Sequence, residues 1–264
     1  MEMSELRDNV VYVHLEKLTH MVLSYGIKME DFVNSVDHVP EKILSIAPVN
    51  LENEIDINTG LNMVIGQKNV KKYLLNRQEK KRSWVDFEDQ YNLEEVKPRE
   101  VSELLYLGHA YSHLRSPFYY KLQNNYAFLT LPNGSLKIYY RYLNDFYTVF
   151  SYSLLQHATA SFRDKRPIMS LRQRIAPLPE ELVQELMPVF LNGAVFDFNT
   201  VQATNTQLKI PVLIAPDTIY EIKWYEPTRL VERSELVANL KYSFPKRKWD
   251  LEIIDQMAFD MQCL

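Results

Sequence analysis

Basic and tyrosine side chains concentrate in the middle of the chain, between residues 139 and 174. From 141 to 174 there are six basic residues against the two acids Asp145 and Asp164, a local charge of +4. The basic residues are Arg141, Arg163, Lys165, Arg166, Arg172 and Arg174. Guanidinium forks bind carboxylates and phosphates in a bidentate manner, and tyrosine rings can stack on a base. This segment therefore predicts a site for a small anionic ligand or a nucleotide.

The same residues have a structural interpretation. The tyrosines would alternate between the core and the surface of a hairpin, while the arginines form ion pairs on the surface or between elements. The tyrosines in question are Tyr139, Tyr140, Tyr142, Tyr147 and Tyr152. Both interpretations stay open at the level of sequence.

Two histidines, His109 and His113, stand four residues apart on a predicted helix and would share one face, as two-histidine metal sites require. Ala110 follows His109 at the position where a metalloprotease helix carries its glutamate base. Spacing fixes no third ligand, and His157 or Asp164 would be a guess. A metal-assisted hydrolase is therefore an alternative hypothesis, and we expect no bound metal or other cofactor.

The densest positive run covers residues 68–82, with seven basic residues against Glu79, a charge of +6. Such a run could follow a phosphate backbone, and three short helices predicted before it suggest a helix-turn-helix arrangement. A DNA-binding regulator using residues 1–82 is thus a second alternative. It is less favoured, because the predicted recognition segment 39–46 offers only Lys42 as a basic contact.

Other catalytic motifs are missing from the sequence. The six glycines are scattered, and the run from Gly60 to Lys68 has the wrong spacing for a phosphate-binding loop. No Gly-x-Ser-x-Gly nucleophile motif occurs, and the single cysteine, Cys263, cannot form an internal disulfide. Catalytic residues therefore stay unassigned, and whether the chain is an enzyme stays open.

Composition and charge favour a globular chain in a reducing compartment. Hydrophobic residues make up 46% and charged residues 24% of the 264 residues, and the formal net charge is −4. The first ten residues carry three acids and lack the basic start and apolar run of a signal peptide. We expect a soluble cytoplasmic protein with no membrane partner; the sequence leaves the oligomeric state open.

Hydrophobic periodicity and turn residues predict mostly helices in the first half of the chain and more strands in the second. The predicted helices cover 4–25, 29–36, 39–46, 68–82, 101–114, 145–160, 180–191 and 249–261. The predicted strands cover 126–131, 136–143, 207–215 and 218–226, with the first two joined as a hairpin through the turn 132–135.

These elements indicate an α+β fold, with a helical N-terminal part followed by a mixed body of antiparallel hairpins and packed helices. A loose boundary could fall in the acidic, charged region around residues 83–97, so that 1–97 forms a helical region and 98–264 the α+β body. The alternative is one continuous domain that includes residues 1–97. The leading functional hypothesis is a non-catalytic cytoplasmic binding or interaction protein with its anionic-ligand site in segment 139–174.

Overall fold

The computed structural model describes residues 9–46, 54–55, 61–76, 83–97, 99–100, 103, 118, 121–131, 134–215 and 227–260. The chain divides into two compact units that interleave in sequence. The first unit comprises Met1–Glu16, Leu23–Lys28 and Phe146–Leu264, and the second comprises Lys17–Val22 and Met29–Asp145. A separate region over residues 1–97 stays a prediction.

The described part of the chain contains thirteen strands. They are β1 (Val10–Glu16), β2 (Met21–Tyr25), β3 (Lys42–Ser45), β4 (Glu54–Ile55), β5 (Asn62–Ile65), β6 (Trp84–Asp86), β7 (Tyr126–Thr130), β8 (Leu136–Tyr140), β9 (Ala194–Asp197), β10 (Gln202–Ala203), β11 (Gln207–Ile214), β12 (Glu235–Ser243) and β13 (Lys248–Ile253).

Helices are mostly short. They are α1 (Met29–Ser35), α2 (Gln67–Leu75), α3 (Tyr91–Glu94), α4 (Leu143–Lys165), α5 (Pro167–Ser170), α6 (Glu180–Glu185), α7 (Met187–Leu191), α8 (Pro227–Arg233) and α9 (Gln256–Asp260). Among the described residues, no helix is both long enough and apolar enough to cross a bilayer.

The first unit contains antiparallel strands in the order β13-β12-β11-β9-β1, and β10 also pairs with β11. Along β11, buried and half-buried side chains alternate, as expected for a strand with one face on the core. The rings of Phe146 and Phe150 on α4 pack against Phe190 on α7 at centroid distances of 5.5 and 4.9 Å. This aromatic cluster forms part of the core of the first unit.

The second unit contains antiparallel strands in the order β8-β7-β6-β3-β5-β4. Its core is again aromatic: Phe32 on α1 contacts the rings of Trp84 and Phe128 at 5.7 Å each. Trp84 and Phe128 stand opposite each other in the β6–β7 register and stack at 5.3 Å. Burial of these large rings supplies the main driving force for this core.

The helical N-terminal part predicted from the sequence is wrong. The span 4–25 contains β1 and β2 joined by a turn, and the span 39–46 contains β3. Leu18, which a helix over 4–25 would place on its apolar face with Val10, Val13 and Met21, is 96% exposed in the turn. Val10–Val13 form a continuous, fully buried apolar run, which is the pattern of a strand covered on both faces. Each unit is instead built mainly on antiparallel strands.

The predicted terminal helix 249–261 is also wrong. The structure has β13 followed by the short helix α9. In β13, charged Lys248, Asp250 and Glu252 alternate with apolar side chains, a period of two that is typical of a strand. Helix 180–191 is interrupted at Leu186, where α6 ends and α7 begins with Pro188 in its first turn.

Other predicted elements are confirmed. The hairpin of β7 and β8 pairs Tyr126 with Tyr140 and Thr130 with Leu136, and Gly134 in its turn has φ +85°. Helices α1 and α4 and strand β11 lie where the periodicity predicts them, and α2 covers the first part of 68–82. Apart from Glu103, the predicted helix 101–114 falls outside the described residues, as does the predicted strand 218–226.

Candidate anion-binding pocket

The basic residues predicted to form one site are divided among different surroundings. Arg141 belongs to the second unit, whereas the other five, from Arg163 to Arg174, belong to the first. Within the first unit they separate again by what their side chains contact. Two groups result, one structural and one lining a pocket.

The structural group lies at the end of α4 and just after it. Lys165 donates hydrogen bonds to the carbonyl oxygens of Asn199, at 3.0 Å, and Val201. Arg166 donates through Nε to the carbonyl oxygen of Ala203 at 3.1 Å. These bonds fasten the helix end to residues 199–203. Arg163 is exposed and its Nε lies 3.9 Å from the carboxylate of Asp164.

Arg172 and Arg174 instead line a pocket of about 470 Å³. A third arginine, Arg247, lines the same pocket from the turn between β12 and β13. The remaining lining residues are Gln173, Ile175, Ala176, Tyr242 and Phe244. Three guanidinium-bearing side chains from two separate segments therefore meet around one cavity.

Aromatic side chains of β12 and β13 hold the backbone that carries Arg174. The hydroxyl of Tyr242 donates to the carbonyl oxygen of Arg174 at 3.3 Å, and Nε1 of Trp249 donates to the carbonyl oxygen of Ala176 at 2.8 Å. The two rings pack against each other at a centroid distance of 5.0 Å. Both are buried, so segment 174–176 is anchored while the arginine side chains stay exposed.

The three guanidinium groups of this pocket are available for a ligand. Within the part of the chain that the structure describes, the side chains of Arg172, Arg174 and Arg247 make no hydrogen bond and no ion pair. Like charges around one cavity repel each other, and a bound anion would relieve that repulsion. The arrangement is therefore suited to holding a negatively charged group.

The tyrosines predicted to line the site do not line this pocket. Tyr139 and Tyr140 are buried in the second unit, and the aromatic residues at the arginines are Tyr242 and Phe244. Sequence reasoning missed both of these and Arg247. The basic run Lys246-Arg247-Lys248, placed in a turn directly after a strand, was the available signal.

The described residues do not support either alternative site, the metal site at His109 and His113 or the DNA-binding site in residues 1–82. His109 and His113 lie outside them, and within them no three metal-ligating side chains form a group that could hold an ion. Of the basic run 68–82, Lys68, Lys71 and Lys72 are exposed on α2, while 77–82 are outside the described residues. The expected recognition helix is strand β3, and Lys42 donates to the carbonyl oxygen of Glu88 at 2.6 Å.

Comparison with known proteins yields no match to a family model, to a curated protein or to a solved structure.

Proposed function

We propose that this chain is a non-catalytic, cytoplasmic binding protein that holds a small anion at the pocket of Arg172, Arg174 and Arg247. The observation that carries the proposal is the convergence of three exposed arginines, without hydrogen-bond or ion-pair partners among the described residues, on one cavity. The single cysteine in 264 residues is in keeping with a reducing compartment.

Phosphate groups fit this pocket better than a lone carboxylate. A guanidinium fork binds two oxygens of one group, so three forks offer more donors than one carboxylate can accept. A phosphate, and still more a pyrophosphate, brings additional oxygens and charge to the same small volume. The favoured ligand is therefore a compact compound with one or more phosphate groups.

A stacked nucleotide base is less favoured than a compact phosphate compound. Tyr242 is 1% and Phe244 8% exposed, and their rings contact each other at 5.3 Å in an edge-to-face arrangement. Phe244 also packs on Phe162 at 4.7 Å. Because these ring faces are already covered by protein, they offer little area for stacking on a base.

The proposal is tested by the melting temperature of the purified chain in phosphate, pyrophosphate, sulfate and chloride at constant ionic strength. Binding to the folded state raises the melting temperature by mass action, so phosphate and pyrophosphate should raise it and chloride should not. The double variant Arg172→Gln/Arg174→Gln should lose this increase yet fold normally without ligand, because its guanidinium groups stabilise no other described contact.

Arg163→Gln is the matched control. It removes one positive charge from the same unit, against two in the double variant, but Arg163 does not line the pocket, so the phosphate-dependent increase should persist. Equal stabilisation by all four salts, or an increase that survives in the double variant, would overturn the proposal. So would a double variant that unfolds without ligand, since its arginines would then be structural.

A further inference from the structure

A second cavity, of about 680 Å³, lies entirely within the second unit. Charged residues of both signs line it: the acids Glu41, Asp86 and Glu88 and the bases Lys42 and Arg141, with Phe87 and Tyr142 beside them. The ammonium group of Lys42 already donates to the carbonyl oxygen of Glu88 at 2.6 Å. Its volume falls within the range of roughly 300–1,000 Å³ that is usual for small-molecule sites. The cavity shares no lining residue with the arginine pocket of the first unit.

Asp86 provides a fixed carboxylate at this cavity. It is 5% exposed, and the backbone N–H of Asn125 donates to both of its oxygens, at 3.0 and 2.9 Å. The backbone N–H of Tyr126 donates to Oδ1 at 2.6 Å. An ionised carboxylate offers about four acceptor positions, so these bonds orient the group and still leave capacity on Oδ2.

Arg141 provides a fixed cation at the same cavity. Its Nε donates to the carbonyl oxygen of Asn124 at 2.8 Å, and its guanidinium lies 5.3 Å from the ring centroid of Phe118. Its backbone N–H donates to the carbonyl oxygen of Asn125 at 2.8 Å. Among the described residues the hydrogen bond of the Arg141 side chain comes from Nε and no carboxylate forms an ion pair with it, so the terminal nitrogens keep donors for a ligand.

We propose that this cavity binds a free α-amino acid, with its ammonium group on Asp86 and its carboxylate on Arg141. A purely anionic ligand would meet the acids Glu41, Asp86 and Glu88, and a purely cationic one would meet Arg141 and Lys42, so either charge alone is opposed in this cavity. A zwitterion satisfies both fixed groups at once. The rings of Phe87 and Tyr142 then border the space left for the amino acid side chain.

The first experiment measures binding of each standard free L-amino acid, added singly, by thermal shift and calorimetry. For the amino acid that binds most tightly, the carboxamide lacks the negative charge and the N-acetyl derivative lacks the positive charge. Both should bind about tenfold or more weakly, because each leaves a fixed charge of the cavity unpaired. Derivatives that bind as tightly as the parent, or the absence of any binding amino acid, overturn the proposal.

The second experiment uses variants of the full chain. Asp86→Asn and Arg141→Gln should each weaken amino acid binding about tenfold or more, while the exposed controls Glu94→Gln and Lys71→Gln should leave it unchanged. Wild-type affinity in both site variants contradicts the assignment. The derivative series is measured on the wild-type chain, so it decides the matter even where a variant fails to fold. Phosphate-dependent stabilisation of the first unit is a separate readout on the same protein.

Discussion

Burial raises the pKa of Asp86 to about 6, although the backbone amides of Asn125 and Tyr126 and the charge of Arg141 act to lower it. An acid whose pKa is higher in the folded than in the unfolded chain stabilises the fold only while it is protonated. That contribution is complete below the ordinary pKa of 3.8 and is lost as the pH rises through about 6. Asp86 therefore weakens the fold at neutral pH.

Asp86→Asn should remove this penalty. The amide oxygen can take the place of Oδ1 and still accept from the backbone N–H groups of Asn125 and Tyr126. The amide NH2 group then takes the place of Oδ2 and loses the second bond from the N–H of Asn125, which sets the gain below its upper limit. A shift of about two pKa units corresponds to roughly 3 kcal/mol. Urea unfolding from pH 4 to pH 8 should show the variant gaining up to about that amount over the wild type as the pH rises.

The wild type and the Asp86→Asn variant must be compared at each pH, because His14 also titrates between pH 4 and pH 8. Burial lowers the pKa of His14 to about 4, so the fold loses stability as the pH falls below about 6.5 and the unfolded histidine gains a proton. This effect is common to both proteins and cancels in the difference. Unfolding free energies that stay parallel across the range would contradict the role of Asp86.

Two glycines with similar backbone angles should respond differently to a side chain. Gly26 has φ +85°, and a Cβ added there would lie 2.3 Å from the carbonyl oxygen of Val10. Gly134 also has φ +85°, but nothing lies within 4 Å of its added Cβ. Gly26→Ala should therefore cost about 3 kcal/mol or more, and Gly134→Ala about 1 kcal/mol from backbone strain alone. Urea unfolding measures both, and equal losses would contradict this account.

At the scale of elements, the end of α4 depends on bonds from a lysine to backbone carbonyls. Lys165→Met keeps the apolar stem but removes the bonds to Asn199 and Val201, and should cost about 1 kcal/mol in the free energy of unfolding. Arg163→Met should change that free energy by less than about 0.5 kcal/mol, because its ion pair with Asp164 is exposed. If Arg163→Met lowered the free energy of unfolding as much as Lys165→Met, the backbone bonds of Lys165 would not explain its contribution.

Prediction of the elements succeeded where a local pattern had only one explanation. The hairpin of β7 and β8 has a glycine that needs positive φ between two apolar runs, and α4 is far longer than a strand. The prediction failed for β1, β3 and β13, whose sequences are short runs of apolar residues or short runs in which apolar and polar residues alternate. Partners distant in sequence complete these strands: β1 pairs with β9 at Val10 and Asp197, for example. Such pairing is not visible to a local window.

At the scale of the whole molecule, each of the two units has a cavity with a different charge pattern. The first unit gathers three arginines, whereas the second places three acidic and two basic residues around one space. The formal net charge of −4 indicates neither pattern, because it sums over the chain and hides local grouping.

The sequence by itself determined the composition, the basic segment, the hairpin of β7 and β8 and the position of α4, since these depend on residue type and near neighbours. Only the tertiary structure decided which basic residues share a surface. Arg172 and Arg247 are far apart in the chain, and β12 and β13 bring them to one pocket. The side chains of Lys165 and Arg166 instead donate to backbone carbonyl oxygens. Arg141 lies in the other unit. The physical reason is that strand pairing and burial act between residues distant in sequence, and these contacts set where each side chain lies.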